Sequence, residues 1–358
     1  MFSDRIHQAR LMADMTLAEL GRQLGVSHTT VQKYEKGLLV PSSSQLLKIA
    51  RVCHLRTEYF FRESSVDLKQ QEFRCTPSFG EKKRQTVCLN VQAAVEKWIQ
   101  LLNCYPEPPI HDFAVPSSIS PRIHSLSDAE ETSEVVRSAW ALGLVPIGNM
   151  TQLLESLGIL VIELDISDET FFGFKAFAVT SEHKKFPVIA VSKHWPGERQ
   201  RFVLAHELGH LLFSGRLSAD VNEEELCDRF AGAFLVPQAA VRRLLGGRRR
   251  DVGINELQNL KLQFGVSMAD WVERSGQCGV VEDVAFKAMK RLVSSKGKHK
   301  EKSGGTLPRE KSMLFSQLVF RALSEAYITE SKAAELLGVS VAAFHAGTFA
   351  ETADAADQ

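Results

Sequence analysis

The chain has 358 residues, more than one hydrophobic core usually supports, so we expect two or three domains. Hydrophobic residues make up 44% and charged residues 24%, which is typical of globular proteins and argues against a disordered or fibrous chain. The formal net charge is zero, so any surface that binds nucleic acid must be basic only locally.

The cysteines and the apolar segments indicate where such a protein works. Six cysteines are scattered along the chain without a CxxC pair, which predicts reduced thiols and argues against a thiolate zinc site. No apolar run approaches the roughly 20 residues needed to span a bilayer, and the first residues lack a secretory signal pattern. We therefore expect a cytoplasmic protein without a membrane partner.

Residues 1–62 form a pattern of short helices. Thr16 is placed to cap a helix that ends before Gly25, and Ser27 is placed to cap the next helix, which ends at Gly37. A helix, a short turn with glycine and a second capped helix is the arrangement that places a recognition helix in the DNA major groove. Lysine and arginine outnumber aspartate and glutamate nine to five here, so this segment is locally basic.

The segments 17–27 and 31–37 resemble the lambda-repressor-like, or XRE, helix-turn-helix family. The resemblance implies a double-stranded DNA operator as partner and a homodimer that binds it. It also implies that base-reading side chains lie at the start of the third helix, where serine, threonine, glutamine and lysine can contact bases or phosphates. These side chains are Ser27, His28, Thr29, Thr30, Gln32 and Lys33. The alternative is a small helical bundle that serves protein contacts or dimerisation.

The middle of the chain predicts a connector and then a mixed domain. An amphipathic helix is expected over about 84–103, and Ser127 and Thr151 are placed to cap two later helices. Strands are expected at 158–164, 173–179 and 186–192. Pro187 indicates that the last of these is an edge strand, to which an extended peptide could add, or that the proline stands at the start of a strand.

The strongest chemical signal is the sequence His206-Glu207-Leu208-Gly209-His210. Two histidines one helical turn apart project from the same face, so two ring nitrogens can hold one Zn²⁺. Glu207 lies beside them and is placed to take a proton from a zinc-activated water molecule. The alternative is a pair of histidines whose hydrogen bonds are satisfied within the core.

A catalytic zinc site needs a third protein ligand and leaves one position open. Glu224 opens a following helix and is the expected third ligand, with Glu223 as its main competitor. Asp228 lies one turn beyond Glu224, so it can hold a histidine ring nitrogen behind the metal. If Glu224 is the ligand, Glu223 and Glu225 are expected to point elsewhere, into solvent.

Four segments together resemble the ImmA/IrrE family of zinc peptidases, and in particular its members that carry an N-terminal XRE domain. These segments are 140–147, 153–159, 205–213 and 224–237. The resemblance implies one Zn²⁺ per chain bound by His206, His210 and Glu224, with Glu207 as general base. It also implies a protein substrate, such as a repressor that the enzyme cleaves.

Two features depart from that pattern. Cys227 stands where the family usually has alanine, and it is expected to be a small buried residue rather than a metal ligand or an oxidation sensor. A zinc peptidase also needs a side chain that stabilises the oxyanion, and that role stays unassigned. The nearest candidates are His194, Arg199 and Arg201.

The whole pattern predicts an α+β protein. An all-α helix-turn-helix domain (1–62) and a helical connector (63–126) precede a mixed zincin-like metallopeptidase domain with a small sheet (127–292). A C-terminal segment that resembles a helix-turn-helix (306–348) is expected to pack on the body or on a partner. The predicted function is a transcriptional regulator with a zinc endopeptidase domain. The alternative is a non-proteolytic or antitoxin-like regulator whose zincin-like domain serves sensing or dimerisation.

Overall fold

The computed structural model describes residues 2–62, 65–297 and 305–347. The chain divides into two compact units, of which the first comprises 1–111, 176–188 and 313–358, and the second comprises 112–175 and 189–312. The predicted domain boundaries at 63 and 348 lie outside the described residues. The predicted division into domains stays a prediction.

The structure is an α+β fold, as predicted. Its helices in chain order are α1 (Phe2–Met12), α2 (Leu17–Leu24), α3 (His28–Glu35), α4 (Ser43–Val52), α5 (Glu81–Leu102), α6 (Asp128–Ala139), α7 (Met150–Ser156), α8 (Gly197–Phe213), α9 (Glu223–Leu235), α10 (Gln238–Leu245), α11 (Ile254–Phe264), α12 (Met268–Gln277), α13 (Asp283–Gly297), α14 (Leu314–Ser324), α15 (Glu330–Leu337) and α16 (Val341–His345). Short 3-10 helices cover Thr57–Phe61 and Pro77–Phe79. The strands are β1 (Val66–Cys75), β2 (Leu160–Leu164), β3 (Phe171–Thr180) and β4 (Lys185–Ser192).

The N-terminal helices begin and end where the sequence predicts. Thr16 and Glu19 form a reciprocal capping box at the start of α2, and Gly25 ends that helix in the left-handed conformation with φ 73°. The Ser27 side chain accepts a hydrogen bond from the Thr30 amide and starts α3. The apolar sides of these helices form one buried core that includes Leu20 and Val31. The helix-turn-helix arrangement is therefore present.

The C-terminal helices pack within the same unit. Trp98 of α5 makes an edge-on contact with Phe315, with ring centroids 5.0 Å apart. The Tyr105 hydroxyl donates to the Leu318 carbonyl at 2.5 Å. Arg56 donates to main-chain carbonyls at the end of α15. The expectation that this segment packs on the body is confirmed.

The sheet has the order β1-β3-β4-β2. The three predicted strands are present within two residues of their expected ends, whereas β1 was not predicted. The prediction of an edge strand at Pro187 is wrong, because β4 lies between β3 and β2. Pro187 is the third residue of β4, so its missing amide falls near the strand start, and residues 186–192 are all buried.

Two predicted caps in the second unit are corrected. The Asn149 side chain accepts from the Gln152 amide and caps α7, so Thr151 lies inside the first turn. Ser127 precedes α6, but its side chain makes no capping hydrogen bond. Asparagine is among the strongest N-cap residues, and its position two residues earlier determines where α7 begins. No helix in the described part of the chain is long and apolar enough to cross a bilayer.

The helices that follow the sheet position the predicted metal site. Gly209 of α8 faces α9, and a Cβ atom there would stand 3.3 Å from Cys227 Sγ and 3.4 Å from its Cα. The glycine therefore allows the two helices to approach closely. Further along the same interface, the rings of Phe213 and Phe230 meet edge-on with centroids 5.5 Å apart. This packing fixes the distance between the histidines of α8 and the acidic residues of α9.

Candidate metal centre and DNA-binding surface

Three donor groups converge between α8 and α9. The Nε2 atoms of His206 and His210 lie 3.1 Å apart, and each lies 3.4 Å from a carboxylate oxygen of Glu224. Tetrahedral zinc with bonds of about 2.0–2.1 Å places neighbouring donors roughly 3.3 Å apart. The triangle therefore fits one zinc ion. Both histidines are buried and Glu224 is exposed, so the site opens on the side of the carboxylate.

Each histidine is held from behind by a carboxylate of α9. His206 Nδ1 lies 2.7 Å from Asp228 Oδ1, as the sequence predicted for Asp228. His210 Nδ1 lies 2.7 Å from Glu223 Oε1, a contact that the sequence did not predict. Such contacts fix the ring orientation and direct each Nε2 lone pair toward the metal position. Glu223 was expected to compete for the metal or to be solvated, and the structure places it behind His210 instead.

The electrostatics of this cluster favour a cation. Hydrogen bonds with the two imidazoles hold the pKa of Glu224 well below its usual range. Burial alone would lower the pKa of His210, but Cys227, Glu224 and Glu223 together raise it to about 11. The carboxylates of Glu223 and Glu224 therefore place negative charge around the two imidazoles. A divalent cation would balance that charge, so the donor set suits zinc.

Glu207 lies against strand β3 and is only 3% exposed. A Cβ atom on Gly173 would stand 2.9 Å from Glu207 Oε1 and 3.1 Å from Val203 Cγ1. Gly173 also has φ 154°, a conformation that other residues rarely adopt. Only glycine allows β3 to pass this close to the predicted base. A glycine inside a strand pattern signals close backbone approach, and that signal could have identified Gly173 from the sequence.

Cys227 lies between α8 and α9 and is fully buried. Burial raises the pKa of its thiol, so the protonated form predominates at neutral pH. Its sulfur could join His210 and Glu223 in a second donor group. The position agrees with the expected small buried residue, whereas its role toward a metal is untested.

The candidates for oxyanion stabilisation have other contacts. His194 Nε2 lies 2.6 Å from Asp165 Oδ1. The Arg199 guanidinium lies over the Trp195 ring, 4.4 Å from its centroid. Arg201 is buried and forms an ion pair with Glu310. The role stays unassigned.

The predicted base-reading residues lie on one exposed part of the first unit. His28, Thr29, Gln32 and Lys33 are exposed on α3, and Thr30 is partly buried. Ser27 is exposed as well, but its hydroxyl caps α3 and lies 2.7 Å from Thr29 Oγ1. The six residues run from the N-cap Ser27 along α3, with Lys33 in its last turn.

Two protein families match separate parts of the chain. A helix-turn-helix family model matches residues 6–60, and a peptidase family model described as an IrrE N-terminal-like domain matches residues 154–274. The chain combines a helix-turn-helix domain with an IrrE-type domain. Both resemblances inferred from the sequence are thereby confirmed, and the IrrE-type match includes α8, α9 and all the donor groups described above.

Curated relatives are similar over a shorter stretch. An HTH-type transcriptional regulator of Sinorhizobium fredii is 32% identical over 68 residues, which is 19% of this chain and 48% of that protein. A regulator of Sinorhizobium medicae is 33% identical over 63 residues, 18% of this chain and 45% of its own length. A regulator of Rhizobium meliloti has the same identity and coverage. The chain spans about half the length of the curated relatives it matches.

Proposed function

We propose that this protein is a DNA-binding transcriptional regulator whose IrrE-type domain is a zinc-dependent endopeptidase. The observation that carries the proposal is the donor triangle of His206, His210 and Glu224, with Glu207 next to His206 in the sequence of α8. A purely structural zinc site usually has four protein ligands, whereas the described cluster offers three and is open at Glu224. The proposed substrate is a partner repressor or another regulatory protein.

The residues of α8 and α9 have different roles in the proposed site. His206, His210 and Glu224 would hold one zinc ion per chain, while Asp228 and Glu223 keep the imidazoles in place. When bound, zinc acts as a Lewis acid toward a peptide carbonyl and lowers the pKa of water. Glu207 accepts the proton of the attacking water on its carboxylate and passes it to the departing amine.

The first unit supplies the DNA-binding part of the proposal. Helix α3 and its N-cap carry exposed hydroxyl, amide and ammonium groups, which suit base edges and phosphates in the major groove. Helix-turn-helix domains bind pseudo-palindromic operators as dimers, so we propose a homodimer on double-stranded DNA. The six cysteines are unpaired, in keeping with the proposed cytoplasmic location.

The test compares Glu207→Gln with Glu225→Gln. Glu225 is an exposed glutamate on α9 outside the donor triangle, so it is a matched control for the loss of one carboxylate. Purified full-length proteins are loaded with zinc, assayed for metal by mass spectrometry and incubated with a proteome-derived peptide library. We expect one zinc in every protein, with new peptide ends produced by the unchanged chain and by Glu225→Gln only. Cleavage that survives in Glu207→Gln would contradict the proposal.

One observation favours a second function. Glu207 is only 3% exposed and lies against Gly173 of β3, so its carboxylate offers a substrate little access. A sensing or dimerisation domain needs no such access. In that case the protein binds DNA, retains zinc and cleaves nothing. Transcription from its operator would then respond equally in cells that carry the unchanged protein or Glu207→Gln.

A further inference from the structure

Positively charged side chains from separate elements meet at the end of α15, within the first unit. Arg56 Nη1 donates to the Val339 carbonyl at 2.6 Å and to the Ala334 carbonyl at 3.2 Å. Arg62 Nη2 donates to Glu335 Oε1 at 2.8 Å. Lys97 of α5 reaches the same helix end, where its Nζ lies 4.0 Å from the position of a Cβ on Gly338.

The negative charge nearby does not balance these cations. Glu335 is shared between Arg62 and Lys332, whose Nζ lies 3.0 Å from Glu335 Oε2. Glu58 is partly exposed and lies 3.9 Å from Arg56 Nε. Four cations therefore share two carboxylates. A cation near a helix C-terminus is stabilised by the carbonyl groups there, which explains the hydrogen bonds of Arg56. Two other donor groups in this cluster still have no partner among the described residues.

The first unpartnered group is Arg62 Nε. The Arg62 side chain is 10% exposed, and its Nε is buried without an acceptor among the residues that the structure describes. The second is the Lys97 ammonium, which has no hydrogen bond or ion pair within the described chain and is partly buried. Burial, followed by the charges of Arg62 and Arg56, lowers the pKa of Lys97. A buried donor such as Arg62 Nε is costly without an acceptor, which points to a missing anionic group beside it.

We propose that Arg62 Nε and Lys97 Nζ form a binding site for a phosphate-type oxyanion, either inorganic phosphate or the phosphate of a small ester. A tetrahedral oxyanion has enough oxygen atoms to accept from both donors at once, and its charge offsets the excess of cations. The site is bounded by α5, the end of α15 and the residue that follows the 3-10 helix Thr57–Phe61. Binding therefore links the C-terminal segment to the N-terminal helices.

Isothermal titration calorimetry on the full chain tests the site. Inorganic phosphate and phenyl phosphate are titrated separately at constant ionic strength in chloride buffer. We expect the unchanged protein to bind at least one of them with a dissociation constant below about 1 mM, and the tighter ligand identifies the source. Lys97→Met should weaken binding at least about tenfold, because it removes one of two donors and its charge.

Lys83→Met is the matched control, since Lys83 is an exposed lysine of the same helix. It should bind phosphate as the unchanged chain does. Arg62→Lys keeps the positive charge and the pairing with Glu335 but removes the Nε donor, so it should also weaken phosphate binding. If Lys97→Met does not fold, Arg62→Lys tests the proposal instead. Absence of binding up to about 10 mM, or equal binding by Lys97→Met, Arg62→Lys and Lys83→Met, would overturn the proposal. Equal binding by the three variants is the result expected if phosphate binds only at the exposed residues of α3.

Discussion

Three consecutive glutamates at the start of α9 have three different surroundings. Glu223 lies behind His210, Glu224 lies between the two Nε2 atoms, and Glu225 is exposed. A helix turns by about 100° per residue, so neighbours in sequence point in different directions. The residue type alone could not separate these roles, whereas the rotation of α9 against α8 does.

Glu223→Ala is expected to weaken zinc binding by about 10–100-fold, because His210 loses the carboxylate that orients its ring. Zinc affinity is measured by competition with a chromogenic chelator. Glu225→Ala changes a neighbouring exposed carboxylate and should leave the affinity unchanged. Equal affinities of the two variants would show that Glu223 does not position His210.

Asp270 predicts a pH-dependent stability. Burial raises the pKa of Asp270 to about 6, and the charges of Asp228 and Glu273 add to the effect. Ionisation is then less favourable in the folded chain than in the unfolded chain, whose carboxyl has a pKa of about 4. The penalty is absent below about pH 4, grows between about 4 and 6, and is complete above about 6.

Asp270→Asn removes this penalty and keeps an oxygen that can accept from the Ser267 hydroxyl. We expect the free energy of unfolding to rise by about 1–2 kcal/mol at pH 7.5, since Asp270 is partly exposed, and to stay unchanged near pH 4. Denaturant unfolding at both pH values measures the difference. Asp251→Asn, at an exposed position, should show no such dependence. A gain of equal size at both pH values would contradict the assignment.

Local patterns in the sequence predicted most of the elements. Thr16, Ser27 and Gly25 are strong boundary signals, and the helices that they delimit are present. Strand β1 escaped prediction because polar residues fill its middle and Gln70 interrupts it with a positive φ. Pro187 suggested an edge, although the continuous apolar residues around it are typical of a strand buried on both faces. Strand position depends on pairing between distant residues, which local patterns do not report.

The residues of the donor triangle could also be predicted from the sequence. Two histidines four residues apart predict His206 and His210 as donors, and the acidic start of the next helix predicts the third donor there, with Glu224 preferred over Glu223. A glycine within the strand pattern signals close backbone approach at Gly173, but its neighbour Glu207 lies far away in sequence, so their contact was not predicted. Whether these residues bind zinc, and whether Glu207 acts as a base, stay predictions.

A short segment over 305–312 holds several elements of the second unit. Glu310 Oε2 accepts from the amides of Met150 and Thr151 at the start of α7, and its other oxygen pairs with Arg201. Gln200 and Glu310 also exchange hydrogen bonds between side chain and main chain. The segment therefore ties α7 to the front of α8.

Glu310→Ala is expected to destabilise the second unit by about 3–5 kcal/mol, since it leaves Arg201 buried without its carboxylate. Both side chains of the pair are at most 10% exposed. Thermal unfolding by calorimetry measures the effect. Glu169→Ala removes an exposed glutamate of the same unit and should cost little. A loss below about 1 kcal/mol in Glu310→Ala would contradict this role of the segment.

At the scale of the whole molecule, the chain passes between its two units four times. Both ends of the sequence contribute to the first unit, and the hairpin of β3 and β4 has residues in each unit. A fragment cut at 127 and 292 would lack Glu310 and the contacts that it makes with α7 and α8. Experiments on the metal site therefore need the full chain.

The close approach of α8 and α9 at Gly209 has a consequence for the evolution of this domain. A methyl group at 209 would press on Cys227 and Phe230, so the packing of the two helices requires this glycine whether or not the domain cleaves peptides. Selection for a folded domain and selection for catalysis therefore act on neighbouring positions independently. In related domains that have lost proteolytic activity, Glu207 should be substituted often while Gly209 is retained. Comparing the substitution rates at these two positions would distinguish inactive domains from active ones.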